Sequence, residues 1–478
     1  MLFNSIQFAL FLPIVFCLHW LWPGSNRPRL QNLILLAASY FFYGCWDYRF
    51  LFLLGFSTLL DYVAGILIHR GKSQGERKVW LCLSVGVNLS FLGFFKYYNF
   101  FATSFAAALA NFGVNVDPWT VRVILPVGIS FYTFHGLSYV FDIYRRRIEP
   151  ERNFVDYALF VSFFPLLVAG PIERATHLLP QLKRPRIFDE AKAVDGMRQI
   201  LWGLFKKVAI ADNCATFANI VFENPAAFSR GSHAIGVIFF AFQIYCDFSG
   251  YSDIALGTAR LFGIELLRNF GFPYFSRDIA EFWRRWHISL TTWFRDYVYI
   301  PLGGSKVSQA KRVRNIFVIF LLSGFWHGAN WTFIVWGALN ALYFLPLLLT
   351  AKNRAHLGTV AEGRLIPSLR EVTGMATTFA LTAVTWVFFR CDTVGGAVQY
   401  LSGFVSPGSR PLPMRPGMVS LLLAAFVCVE WLGREQPYAI AKLGMHPSGV
   451  LRWGFYLVIL GVSFVFAGQP QQFIYFQF

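Results

Sequence analysis

The sequence predicts an all-α polytopic membrane protein, one domain over residues 1–478. Composition is the first observation behind this. The chain is 56% hydrophobic and only 14% charged, with a mean hydropathy of +0.49, whereas soluble domains carry about 25% charged residues. The second is a series of apolar runs of membrane length, separated by stretches too short for a soluble domain. The third is where the basic residues fall: Lys72 to Lys78, Arg145 to Arg152, Lys183 to Arg186 and Lys306 to Arg314, all in short loops between those runs.

The expected spans lie near 6–23, 30–46, 50–69, 79–95, 122–143, 154–170, 232–250, 313–325, 330–350, 374–390, 417–434 and 451–468. The first begins MLFNSIQFALFLPIVF, with no Lys or Arg before Arg27. A secretory signal needs a basic n-region and a small-residue cleavage site, so this run reads as a retained span. Several later runs are short or contain Gly, Pro or Asp, which predicts re-entrant or steeply tilted segments. The least hydrophobic stretches are 171–200, 268–314 and 351–373. The loop charges place the four basic loops on the cytoplasmic side by the positive-inside rule. They also account for the net charge of +17, so nucleic acid is not an expected partner. The 54 Phe, 20 Tyr and 15 Trp suit lipid contact and interfacial belts. Seven scattered cysteines without a C-x-x-C pair give no disulfide framework and no metal site.

From Asn315 to Thr350 there is no Asp, Glu, Lys or Arg. A straight helix over this stretch would measure about 54 Å, against about 30 Å for a bilayer core. The chain must therefore break, and SGFWHGAN (Ser323 to Asn330) is the place. Irregular backbone at membrane depth is tolerated only inside protein or along a cavity. His327 stands at this break, where it is either a core histidine bonded to a carbonyl or a general base. Burial would favour its neutral form.

Read as a helix, RDIAEFWRRWHISLTTWFRDYVYIPLGG (Arg277 to Gly304) puts Phe282, Trp283, Trp286 and Leu290 on one face, with Glu281, Arg284 and Arg285 largely on the other. That pattern suits an interfacial amphipathic helix. Arg284 and Arg285 are either a solvated edge or a phosphate site. His287 in this stretch is an interfacial histidine or a second member of the His327 site. In QIYCDFSGYSDIALG (Gln243 to Gly257), Asp247 and Asp253 need partners in their apolar context, and Arg277, Arg284 or Arg285 are the candidates; Asp247 and Tyr251 lie one turn apart. His135 reads as a polar packing residue, and FFPLLVAGPIER (Phe163 to Arg174) as a re-entrant turn. PLGGSKVSQAK lacks the phosphate-loop spacing. The terminal GQPQQFIYFQF places Tyr475 in an aromatic run expected to be buried, as an anchor or as a nucleophile.

Taken in order, LPVGISFYTFHGLSYVFDIYRR, FPLLVAGPIER, YCDFSGYSDIALG, EFWRRWHISLTTWFRDYVYIPLGG, SGFWHGANWTFIVWG and WVFFRCD resemble the membrane-bound O-acyltransferase (MBOAT) family. The likeness is to the bacterial branch that acylates alginate, other polysaccharides and cell-wall polymers. It covers residues of about 34 to 392, leaving C-terminal helices and the aromatic tail over 393–478. The resemblance implies a ring of tilted helices with re-entrant segments and a central tunnel. It implies a catalytic His327, with His287 at a second active-site position that can be Asn or Asp in other members. The donor would be a cytoplasmic acyl thioester, acetyl-CoA in this branch, with no tightly bound cofactor and no metal. The acceptor would be an exported polysaccharide, reached with a periplasmic SGNH-type transferase as partner, and the location the cytoplasmic (inner) membrane. By the same analogy Tyr475 would be a covalent acyl relay.

Within that frame Lys306 and Arg312 are expected near the CoA phosphates. Trp326, Asn330, Trp331 and backbone N–H groups around Gly328 are expected to line the substrate or its oxyanion, with Arg284, Arg285, Asp247 and Tyr251 as further binding residues. A teichoic-type or lipid acyltransferase shares the same residues. A proton-coupled transporter should show matching broken helices in two halves, and only one dominant break is seen.

Overall fold

Helix is the regular structure of the described residues, apart from one isolated bridge between Phe228 and Arg410. The computed structural model describes residues 1–21, 27–122, 124–168, 170–406, 408–412, 416–442, 447–468 and 471–474. Helices satisfy every backbone group within the segment, which lipid cannot do. The chain forms two compact units, Met1–Ala193 with Ala259–Leu267, and Val194–Thr258 with Arg268–Phe478.

The first unit holds α1 (Ile6–Leu21), α2 (Pro28–Gly44), α3 (Phe50–Arg70), α4 (Gln74–Leu92), α5 (Tyr98–Ala110), α6 (Ile129–Tyr144), α7 (Phe154–Ser162), α8 (Phe164–Leu167) and α9 (Ala175–Leu182). Ser73 starts α4 by accepting a hydrogen bond from the Glu76 N–H. At Gly93–Tyr97 the helix passes through a π turn and continues as α5, giving a 37-residue apolar segment, Gln74–Ala110. The segment runs beyond the expected end at 95, where Lys96 closes the apolar run in the sequence but is carried within the π turn. Three of the four basic loops meet at one end of this unit. Arg77 donates to the carbonyls of Ile68 (3.1 Å) and Tyr144 (2.6 Å), and Lys183 pairs with Glu151 at 2.5 Å.

The second unit contains most of α10 (Glu190–Phe205), then α11 (Asp212–Glu223), α12 (Arg230–Leu261), α13 (Ile279–Arg285), α14 (Ile288–Phe294), α15 (Gln309–His327), α16 (Trp331–Leu349), α17 (Leu369–Arg390), α18 (Val394–Ser402), α19 (Gly417–Leu432) and α20 (Gly449–Val465). Among the described residues, five helical segments are long and apolar enough to cross a membrane: Phe50–Arg70, Gln74–Ala110, Arg230–Leu261, Trp331–Leu349 and Leu369–Arg390. Small residues let the helices of the second unit approach backbone to backbone, as membrane interfaces favour. A Cβ added at Gly324 would lie 2.2 Å from the Phe333 carbonyl oxygen, and one at Gly337 2.4 Å from that of Phe320. The α15–α16 hairpin therefore closes only with glycine at both places.

Candidate active site

The break expected between Ser323 and Asn330 is there, and it puts His327 on the last residue of α15. Gly328 turns the chain into extended backbone, where any larger residue would drive its Cβ to 2.1 Å from the Phe333 ring. Asn330 then caps α16: its side-chain oxygen accepts from the Thr332 N–H (3.1 Å), and its Nδ2 donates to the Asp392 carbonyl (2.7 Å). Both ends of that amide are engaged in shaping the turn. Trp331 is 57% exposed. The His327 ring is buried among aromatic faces, 4.9 Å from Trp326, 5.2 Å from Trp336 and 5.2 Å from Phe389 between centroids, each at a steep angle.

A second break holds the second histidine. The stretch expected as one amphipathic helix is two short ones, α13 and α14, because Trp286 is extended and His287 adopts φ +42°. Left-handed backbone costs a non-glycine residue about 1–2 kcal/mol and persists where neighbours enforce it. Here the Ile288 N–H donates to Asn269 O and the Gly271 N–H to Arg285 O, both at 2.9 Å. The buried His287 ring meets Phe248 edge-on at 4.7 Å and Trp326 at 6.0 Å. One indole, Trp326, thus lies beside both imidazoles.

The arginines of α13 face inward to protein acceptors. Arg284 donates to the carbonyls of Asn353 (2.8 Å) and His356 (2.7 Å). Arg285 donates to Glu281 and to the carbonyls of Gly271 and Gly358. Glu281, expected on the polar face, is buried between Arg277 and Arg285. Burial pushes its pKa up, but hydrogen bonds from Arg277 and the charges of both arginines outweigh this and hold it below the ordinary value. The two arginines therefore fasten the loop after α16 to α13. That loop borders a cavity of about 730 Å³ whose lining includes Arg277, His356, Arg364 and Arg370 against Asp278 and Glu371. Arg277 and Arg364 already pair with carboxylates, and no local signal in the sequence marks the cavity. Lys306 is exposed and Arg312 half-buried.

Asp247 and Asp253 pair with lysines, not with Arg277, Arg284 or Arg285. Lys206 and Lys207 lie side by side in a π turn, Lys206–Ala211, that follows α10. Lys206 reaches Asp253 at 2.5 Å and donates to Ser249 at 3.0 Å. Lys207 lies 2.8 Å from both Asp247 and Asp212. The other Asp247 oxygen accepts the Ile474 N–H (2.8 Å), and Lys207 also donates to the Gln471 carbonyl (3.0 Å). Tyr251 packs on Phe473 at 4.2 Å, and Phe473 approaches Phe248, the ring against His287, at 6.4 Å. Asp247 and Tyr251 thus hold the tail segment 471–474 close to the His287 wall. Tyr475, the next residue, lies outside the described residues. The lysine clamp was missed because its members are 40 residues from Asp247 in sequence; two adjacent lysines before an apolar run were the available signal.

The arrangement offers two imidazoles, an aromatic enclosure and a buried charged clamp on the chain's last described segment. Residues 145–373 match the model of MBOAT, the membrane-bound O-acyltransferase family. The chain is 40% identical over 451 residues to the Probable alginate O-acetylase AlgI of Azotobacter vinelandii, covering 92% of this chain and 86% of that protein. It is 33% identical over 488 residues to the Peptidoglycan O-acetyltransferase of Helicobacter pylori, covering 96% and 88%. A more distant similarity, 29% over 262 residues, links it to the Teichoic acid D-alanyltransferase of Streptococcus thermophilus, covering 51% and 62%.

Proposed function

The chain belongs to the membrane-bound O-acyltransferase family, and from that premise we propose that this multi-pass membrane acyltransferase takes an acetyl group from cytoplasmic acetyl-CoA and delivers it for O-acetylation of an exported polysaccharide such as alginate. The observation that carries the reading is the placement of His287 and His327 at two helix breaks beside the same Trp326 indole. Relatives named for O-acetylation of alginate and of peptidoglycan support the acceptor class. The inner membrane is the proposed location, and an SGNH-type transferase on its outer side the proposed partner.

In this reading a neutral His327 takes the proton of the acceptor hydroxyl while that oxygen attacks the thioester carbonyl. The tetrahedral oxyanion collapses, the carbon–sulfur bond breaks, and the imidazolium returns its proton to the CoA thiolate. General-base assistance of this kind contributes about 10²–10⁴ in rate. His287 orients the acceptor. Trp326 lines the acyl path, and the cavity lined by Arg277, Arg364 and Arg370 receives the CoA phosphates, with Arg284 and Arg285 bracing its wall. The fastening of residues 471–474 to Asp247 and Lys207 supports a role for the following Tyr475 as the first acyl acceptor.

The test is acyl transfer in membranes given labelled acetyl-CoA, with label on the protein mapped by mass spectrometry. Label on Tyr475 that disappears in His327→Ala is the expected result. CoA release that depends on His327 and on an added hydroxyl acceptor, without label on the protein, replaces the relay by direct transfer. Full transfer by a folded His327→Ala protein overturns the reading.

A further inference from the structure

A cavity of about 270 Å³ in the first unit, outside the histidine site, is strongly basic. Arg184, Arg186, Lys192 and Arg260 line it, against one carboxylate, Asp189. Asp189 already accepts the Lys192 N–H at 3.1 Å. Lys192 and Arg260 share Glu265, at 3.8 and 3.1 Å, whereas among the described residues Arg184 makes no ion pair. Arg186 is the telling member. It is 5% exposed, yet its guanidinium meets only neutral oxygens, Asn32 Oδ1 at 2.7 Å and the Leu182 carbonyl at 3.4 Å, and its Nε has no partner. Burial pushes its pKa down to about 10, which still leaves it charged at neutral pH. Asp156 acts on it only at a distance, through Asn32, whose Nδ2 donates to the Asp156 carboxylate at 2.7 Å. Among the described residues no carboxylate touches the guanidinium, and an anion in the cavity would give it a direct partner.

The rim is apolar. Ile187 is 82% exposed, and Phe188 packs against Phe16 (5.9 Å) and Trp20 (5.6 Å) of α1. Trp20 lines the cavity and donates to the Leu261 carbonyl at 3.1 Å, the posture of an interfacial tryptophan. Ile6, Leu10, Ile14, Leu18 and Leu21 form one exposed stripe along α1. A soluble anion has no use for that stripe, whereas acyl chains have.

We propose that this cavity binds the phosphate of an anionic phospholipid, with the headgroup among Arg184, Arg186, Lys192 and Arg260 and the acyl chains along the exposed face of α1. Basic pockets at the cytoplasmic ends of membrane helices take such headgroups. The site is separate from acyl transfer and stands whether or not the proposed reaction does.

The experiment uses the full-length protein in phosphatidylcholine nanodiscs doped with phosphatidylglycerol. Lipid retained after detergent extraction is counted by native mass spectrometry. Wild type is expected to keep phosphatidylglycerol in preference to phosphatidylcholine. The double variant Arg184→Ala/Lys192→Ala alters two side chains at the surface and should keep its fold by circular dichroism. Its retention should fall by about tenfold or more. Arg186→Lys, which keeps the charge but loses the fork, should weaken retention less. Equal retention of both lipids by wild type, or unchanged retention by the folded double variant, overturns the proposal. Displacement of the lipid by millimolar glycerol phosphate, binding as tightly without chains, overturns the lipid source in favour of a soluble phosphate.

Discussion

Each unit buries a carboxylate in apolar helices, and the two are satisfied differently. In the first unit Asp61 of α3 accepts from Ser84 Oγ (2.6 Å) and Asn88 Nδ2 (2.8 Å), while Ser57 donates to Asn88 Oδ1 (2.6 Å). No cation pairs with Asp61 among the described residues, and α6 presses so close that a Cβ at Gly136 would overlap the carboxylate. In the second unit Asp247 and Asp212 flank Lys207, and the remaining bonds go to the main chain at Ile474 and Gln471. The first arrangement is closed on itself and joins neighbouring helices. The second reaches across more than 200 residues of sequence to hold a segment beside the histidine site. Both centres are ionisable groups in apolar surroundings and so both are candidates for a role; what separates them is that only the second bonds to the segment 471–474.

Removing the cation is the strongest way to break this contrast. Lys207→Met leaves two buried carboxylates without their counter-charge, and breaking such a pair costs about 3–5 kcal/mol. A large drop in the thermal midpoint in detergent is expected, with release of the tail to protease. A shift worth less than about 1 kcal/mol would show that the centre is not ionised. Next in size is a change at His287. Asparagine tolerates the left-handed backbone at that position, but it is also a residue the resemblance allows there. The sharper variant is therefore His287→Gly, whose backbone accepts the same turn and whose loss of the orienting ring should lower acyl transfer by about 10²-fold. An unchanged rate would remove His287 from the site. The smallest effect is expected for Asp61→Asn. Its remaining oxygen can still accept from Ser84 and Asn88, so stability should stay within about 1 kcal/mol and transfer should be unaffected. A loss matching that of Lys207→Met would make the first unit's centre functional too.

The sequence was legible wherever the relevant constraint was local. The charge-free run from Asn315 to Thr350 had to break, and it breaks at the glycine-rich stretch that presents His327. Long-range partners were not legible. Arg284 and Arg285 looked like a solvated edge because their acceptors, the carbonyls of Asn353, His356 and Gly358, are supplied by a loop far along the chain. No span was expected over α11, since the charges of Asp212 and the lysines before it interrupt the apolar run in one dimension and cancel only in three. His287 was read as part of a continuous helix because nothing in its neighbours announces a positive φ; the turn is fixed by Asn269 and Gly271, which lie upstream.

The rings around His327 have one more consequence. Trp326, Trp336 and Phe389 surround the imidazole at about 5 Å, and neither an indole nor a benzyl ring relays protons or shelters a file of water. In a membrane that stores a voltage, such a wall is electrical insulation. If His327 acts as the proposed base in the proposed inner membrane, the rings around it would oppose a short circuit of the ion gradient held there.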